Sequence, residues 1–298
     1  MKKLIKILPI ILSISMLLGT AVFAEPLTVQ ANAAFINDNG EIIVGALKKG
    51  IDVSFWQGEI DWNAVKGSDV SYAILRCGYG DNTKEKDDSK WFANADACTR
   101  LGIPFGTYLY SHATCIEEAI DEAEHTIRLL SGYNLSYPVF YDMEAKDIGS
   151  CSNELLGIIA DAFCNALAEK GYQVGIYANL NWWTTKLTSN VFDNPALHKW
   201  VAQYSPKCTY EKPFEMWQSS STGSVPGIAE NVDIDFLFND GINHDVQYKS
   251  NIIVFTIDKI ESFVFGKRKT NDVAPIIRNE RTMLPARFLA ENLGARVE

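Results

Sequence analysis

From Gly50 onward, short apolar runs alternate with segments whose apolar positions recur every three or four residues. Strands are predicted at 51–55, 72–77, 105–110, 138–143 and 174–177, each rich in β-branched and aromatic residues. Helices are predicted between and after them, at 62–66, 89–101, 115–130, 153–170 and 180–187. In the segment 153–170, Leu155, Leu156, Ile159, Phe163 and Leu167 recur at helical spacing, and Gly171 follows as a stop. Beyond 187 the helical period is lost, and three strand-like runs follow at 200–204, 214–218 and 232–236. Strands alternating with helices imply an α/β protein with a parallel sheet. Eight strands suggest a closed barrel of the (β/α)₈ kind that lacks its last helices. An open doubly wound sheet is the rival, weakened because no glycine-rich phosphate fingerprint follows the first strand.

The flanks read differently. Lys2, Lys3 and Lys6 precede an apolar stretch from Ile7 to Phe23 that closes on Val22-Phe23-Ala24, the pattern of an export signal over residues 1–24. A membrane anchor is the alternative, disfavoured by the short stretch and by Pro9. Ala31-Asn32-Ala33 is a weaker second cleavage site. Residues 25–49, with the turn signal Asp38-Asn39-Gly40, read as a linker or loose arm before a barrel over 50–241. A small α+β unit occupies 251–298, with strands at 252–257, 263–265 and 275–277 and a helix at 286–293. Its pattern stops in mid-course at Glu298, so a truncated domain is expected.

Charge and composition narrow the partners. A net charge of −10 argues against nucleic acid, which needs a basic face. With the signal removed, a secreted or wall-bound protein without a membrane partner is expected. Six cysteines in an exported chain are compatible with disulfides and with buried thiols alike. The four histidines are scattered and no Cys-x-x-Cys or His-Glu-x-x-His occurs, so neither a metal nor a cofactor is expected.

In a parallel barrel the chemistry lies at the C-terminal ends of the strands. The fourth strand ends Tyr141-Asp142-Met143-Glu144, and alternate residues of a strand point the same way, so Asp142 and Glu144 emerge together. Asp52 lies on the first strand, Asp233 and Asp235 on the last. Arg76, Tyr79, Tyr110, Tyr177, Gln203 and Trp217 fall at the ends of the second, third, fifth, sixth and seventh. An acidic cluster ringed by aromatics suits glycoside hydrolysis. One carboxylic acid protonates the leaving oxygen, and a second activates water, attacks, or stabilises positive charge. Neighbouring carboxylates push one another's pKa upward, which keeps one protonated near neutrality. Aromatic faces offer flat surface to sugar rings. Asp-x-Glu alone is most often a solvated surface pair; here it closes a buried-type strand, where an acidic pair is costly without a purpose. For Asp52 a structural hydrogen bond is an equal alternative, and for Tyr72 and Trp200 core packing is favoured.

Several motifs together resemble glycoside hydrolase family 25, the Chalaropsis-type lysozymes. They are Gly50-Ile51-Asp52-Val53-Ser54 with Trp56-Gln57-Gly58, Gly106-Thr107-Tyr108-Leu109-Tyr110-Ser111, Tyr141-Asp142-Met143-Glu144, Gly175-Ile176-Tyr177, Met216-Trp217-Gln218 and Val232-Asp233-Ile234-Asp235. The resemblance spans about 50–240. It implies a flattened TIM-like barrel of five β/α units followed by three strands. The implied reaction is hydrolysis of the β-1,4 bond between N-acetylmuramic acid and N-acetylglucosamine in peptidoglycan. It further implies Glu144 as general acid, Asp142 as its assistant toward the acetamido group or water, Asp52 and Asp233 completing the cluster, and Tyr110, Tyr177 and Trp217 lining the groove. Two departures, Leu109 where His is frequent and Asp235 where Asn is frequent, bear on substrate preference. The stretch from Asn279 to Ala295 resembles the copper amine oxidase N-terminal-like domain, which implies wall or surface association; no His or Cys in 251–298 offers a copper ligand. The alternatives are a related N-acetylglucosaminidase or chitin-type hydrolase, a non-catalytic wall-glycan receptor, and a structural surface protein.

Overall fold

The computed structural model describes residues 35–37, 40–239 and 246–297. The expected export signal (1–24), the expected second cleavage site (31–33) and His244 lie outside them. Eight strands close a barrel in sequence order: β1 (Lys48–Val53), β2 (Tyr72–Tyr79), β3 (Phe105–Tyr110), β4 (Val139–Asp142), β5 (Val174–Asn179), β6 (Leu197–Ala202), β7 (Met216–Gly223) and β8 (Val232–Leu237). The helices are α1 (Trp62–Lys66), α2 (Trp91–Leu101), α3 (Ile116–Leu130), α4 (Asn153–Ala168) and α5 (Leu180–Thr185). Each strand lies within a few residues of its expected place. The arm is shorter than expected: β1 already begins at Lys48, and Ile43 is buried under the barrel.

The sheet is parallel except at one strand. β1 through β7 run parallel, but β8 is antiparallel to both β7 and β1. The short segment between β7 and β8 holds no helix, and a parallel crossover needs a dozen or more residues, so the chain returns as a hairpin and closes the barrel reversed.

Two apolar layers result. The outer faces of the strands, with Ile51, Val53, Leu75 and Leu109, pack under the helices. There Tyr141 stacks on Phe163 of α4 at 3.8 Å between ring centroids. Inside the barrel lie Tyr72, Ile74, Phe140, Tyr177, Trp200, Met216 and Leu237. These large side chains fit because glycines face them: a Cβ on Gly50 would come 2.3 Å from the Tyr72 ring, and one on Gly175 would come 2.6 Å from Phe140. α4 starts on Ser152, whose hydroxyl caps Leu155 N, and ends at Ala168, two residues short of expectation; Gly171 supplies the left-handed turn at φ 90°. The six cysteines are unbonded thiols, which decides between the two alternatives the sequence left open.

The C-terminal region forms a three-stranded antiparallel sheet of β9 (Ile253–Phe255), β10 (Glu261–Val264) and β11 (Lys267–Thr270). A hairpin of β12 (Ile276–Arg278) and β13 (Arg281–Met283) and the helix α6 (Ala286–Asn292) follow. β11 and β13 were not legible because their residues are exposed and show no alternation of apolar and polar positions. The region is tied to the outside of α4. Asp161 accepts hydrogen bonds from Tyr248 (2.8 Å) and Ser250 (2.6 Å), and Asn165 receives Ser250 N and donates to the Phe265 carbonyl.

Candidate active site

Strand register and alternation assemble the site. Gly50 and Asp52 of β1, Phe140 and Asp142 of β4, Met216 and Gln218 of β7, and Asp233 and Asp235 of β8 all share the inner face, as the interior core requires. In register, Tyr110, Asp142 and Tyr177 form one layer across β3, β4 and β5. Asp52 stands directly opposite Asp233. Because β8 runs backwards, its first residues and not its last reach the mouth, so Asp233 is the upper and Asp235 the deeper acid.

Asp142 is 5% exposed, and its Oδ1 meets no hydrogen-bond partner among the described residues. Burial pushes its carboxyl well above the usual range, and the charge of Glu144 adds to this against the opposing pull of Arg76. A buried carboxyl left without a donor costs about 1–3 kcal/mol or more, so it serves something other than the fold. Glu144, just beyond β4, is anchored instead. Its Oε2 accepts Asn179 N at 3.0 Å and Asn179 Nδ2 at 2.7 Å. Asn179 is also the N-cap of α5, its Oδ1 receiving Trp182 N at 3.1 Å, so the start of that helix fixes Glu144. Asp52 accepts Gln218 Nε2 at 2.7 Å, and the Gln218 Oε1 is held by the hydroxyls of Tyr177 (2.9 Å) and Tyr204 (3.0 Å). Burial raises Asp233 to about 6.

The expected substrate contacts divide. Tyr110 and Tyr79 sit side by side at the rim; a bulge between Arg76 and Gly78 turns Tyr79 into register with Tyr110. Tyr177 lines the interior wall and holds Gln218. Four of the expected contacts are engaged within the protein. Trp217 is 1% exposed and packs against Phe236 and Phe238, its Nε1 donating to the Gln203 carbonyl; it occupies the outer face of β7, while Gln218 takes the inner one. Gln203 spends its side chain on Thr209. Arg76 is bonded to buried Asp88 at 2.7 Å and lies 4.8 Å over the Phe55 ring. Asp235 is fully buried below the mouth, where Trp200 Nε1 donates to its Oδ1 at 2.8 Å. Leu109 likewise faces the outer core, so that departure bears on packing and not on the groove.

Sequence reasoning missed Asn179, Gln218 and Tyr204 as supports. Alternation points to the first two, each lying two residues beyond an inward-facing position. It also missed Trp56, 70% exposed on the short turn Phe55–Gln57 after β1. Ser54 and Gln57 cap that turn reciprocally, and Asp88 holds Phe55 N, so an indole is presented to solvent on a fixed support.

A β/α barrel whose strand ends gather four carboxyls around one mouth is the architecture of a glycoside hydrolase. Residues 51–228 match the family described as glycosyl hydrolases family 25, and the chain belongs to it. Residues 228–298 match the copper amine oxidase N-terminal domain. Among curated relatives, the chain is 31% identical over 195 residues to the autolytic lysozyme of Clostridium acetobutylicum, covering 65% of this chain and 56% of that one. It is 29% identical over 199 residues to lysozyme M1 of Streptomyces globisporus, covering 62% and 66%. The chain thus spans between about half and two thirds of the length of these relatives. Among solved structures it resembles the modular autolysin LytC of Streptococcus pneumoniae in complex with a synthetic peptidoglycan ligand. That likeness has TM-score 0.61 and 30% identity, over 68% of this chain and 49% of that one. The lysozyme of Streptomyces coelicolor shares the fold at TM-score 0.54 and 22% identity, over 66% and 97%.

Proposed function

We propose that this protein is a secreted lysozyme that hydrolyses the β-1,4 bond between N-acetylmuramic acid and N-acetylglucosamine in peptidoglycan. The observation that carries the reading is the pairing of an anchored carboxyl with an unpartnered one: Glu144 held by Asn179, and Asp142 buried beside it with a free oxygen. Glu144 Oε2 is occupied, so its proton rides on Oε1 and passes to the glycosidic oxygen as the C1–O4 bond breaks. Asp142 accepts the acetamido N–H of the sugar losing its leaving group and steers the acetamido oxygen onto C1. While Glu144 holds the proton, burial still pushes Asp142 upward but the lesser push from the Glu144 charge is absent. Water then attacks C1, the bond from C1 to the acetamido oxygen breaks, and the water's proton passes to Glu144. Asp52 and Asp233 place further negative charge beneath the positive charge that develops at the sugar. The lysozyme names of the relatives and the peptidoglycan ligand bound to LytC support the substrate class. The signal-like N-terminus supports export, and the C-terminal unit supports attachment at the wall.

The test is digestion of purified peptidoglycan by the protein and by Glu144→Gln, with mass spectrometry of borohydride-reduced fragments. Reduced muramic ends that vanish in the variant are expected. Reduced glucosamine ends would move the activity to a glucosaminidase. Wall binding without cleavage by either protein would leave a glycan receptor.

A further inference from the structure

Below the mouth, the inner faces of β1 and β8 bury two carboxyls with no basic side chain bonded to either among the described residues. Asp52 is 4% exposed and Asp235 not at all. The register sets Asp52 opposite Asp233 and Gly50 opposite Asp235, which makes Asp52 and Asp235 diagonal neighbours on one face. That places the two carboxyls close together on one buried face. Each receives one N–H from elsewhere: Gln218 Nε2 reaches Asp52 Oδ2 at 2.7 Å, and Trp200 Nε1 reaches Asp235 Oδ1 at 2.8 Å. Asp235 Oδ2 receives none among the described residues. Ionised carboxylates only accept, so two of them in contact would set lone pair against lone pair. Among the described residues, no hydrogen bond beyond those from Gln218 and Trp200 relieves this. β2 contributes Tyr72, buried, with a hydroxyl that makes no hydrogen bond. The hydroxyls of Tyr177 and Tyr204 are committed to Gln218, and β8 adds the further acid Asp233. Arg76, the neighbouring guanidinium, is bonded to Asp88.

We propose that Asp52 and Asp235 share a single proton between Asp235 Oδ2 and the Asp52 carboxyl, and that Asp235 is thereby the positioning residue for Asp52. The pair then carries one negative charge beneath the bond-cleaving acids, and Asp52 is gripped from two sides, by Gln218 and by Asp235. Burial and the surrounding carboxylates push both acids upward, the direction that keeps the proton in place at neutral pH.

Two variants of the full chain test this. Asp235→Asn can accept from Trp200 and donate Nδ2–H to Asp52, which keeps the single charge while removing the proton that titrates. Asp235→Leu removes the donor altogether. A carboxyl raised in the folded state contributes stability that is complete at acid pH and lost as pH rises through its folded pKa. The Tm of the wild type is therefore expected to fall between pH 5 and pH 9 more steeply than that of Asp235→Asn. In the infrared at pH 7, Asp235→Asn loses the carbonyl stretch of one protonated, dehydrated carboxylic acid. In the pH profile of kcat/KM on peptidoglycan, Asp235→Leu moves the acid limb upward by about one unit because Asp52 has lost a donor, and Asp235→Asn returns it. Parallel Tm curves for wild type and Asp235→Asn, or failure of that isosteric variant to fold, would overturn the proposal. Only the kinetic arm rests on the lysozyme reading. If no protein cleaves peptidoglycan while the Tm curves diverge, the function is refuted and the shared proton stands.

Discussion

Asn179 holds the proposed acid in place, and its removal has a calculable cost. Asn179→Ala deletes the 2.7 Å bond from Nδ2 to Glu144 and the cap on Trp182 N, while the backbone bond at 3.0 Å remains. Loss of the cap costs about 1 kcal/mol of stability. As Glu144 gives up its proton in the transition state this bond becomes charge-assisted, worth roughly 1.5–3 kcal/mol. If about 1.4–2.7 kcal/mol of that serves to place Glu144 in the transition state, kcat falls about 10- to 100-fold. A plain loss of activity would not prove the mechanism, so the assay is a double-mutant cycle read by turbidity loss of a peptidoglycan suspension, with urea melts in parallel. Where Glu144→Gln has already removed the acid, Asn179→Ala should lower the residual rate less than about 2-fold, because residues acting as a unit are non-additive. Equal fold losses in the two backgrounds would refute the argument and reduce Asn179 to a helix cap.

Other consequences are open to measurement. Trp56→Ala removes an exposed indole on a fixed turn; a KM for long glycan strands raised about 5- to 20-fold, with kcat unchanged within about 2-fold, is expected from one lost stacking contact of about 1–2 kcal/mol, and an unchanged KM would place Trp56 outside the groove. Asp233 is raised to about 6 by burial, so its contribution to stability is complete below about pH 4 and is lost as pH climbs toward 6. Asp233→Asn should flatten that part of the stability curve, and urea melts at pH 4, 5, 6 and 7 that keep the wild-type slope would contradict it. Asp161→Ala strands the hydroxyls of Tyr248 and Ser250 at the junction of α4 with the C-terminal region; limited proteolysis should then cut near 246–252 several-fold faster while the barrel stays intact.

Much of this was readable in the chain. Hydrophobic period separated the five β/α units from the three final strands, and the ending of the fourth strand singled out Asp142 and Glu144. What period two cannot reveal is which of two faces looks inward, because alternation relates residues only to one another. Trp217 and Gln218 illustrate this: adjacent at a strand end, either could have reached the groove, and closure of the barrel turned the tryptophan outward and the glutamine toward Asp52. The depth of Asp235 was hidden for a related reason. Its place depends on the direction of β8, which pairing with β1 and β7 decides. Arg76 had the right chemistry for a sugar or a carboxylate, but Asp88, twelve residues further on, claims it. Local sequence thus determined which residues form strands and which acids lie along them. Long-range pairing decided their direction, their facing side and their partners, since those depend on strands far apart in the chain meeting across a closed sheet.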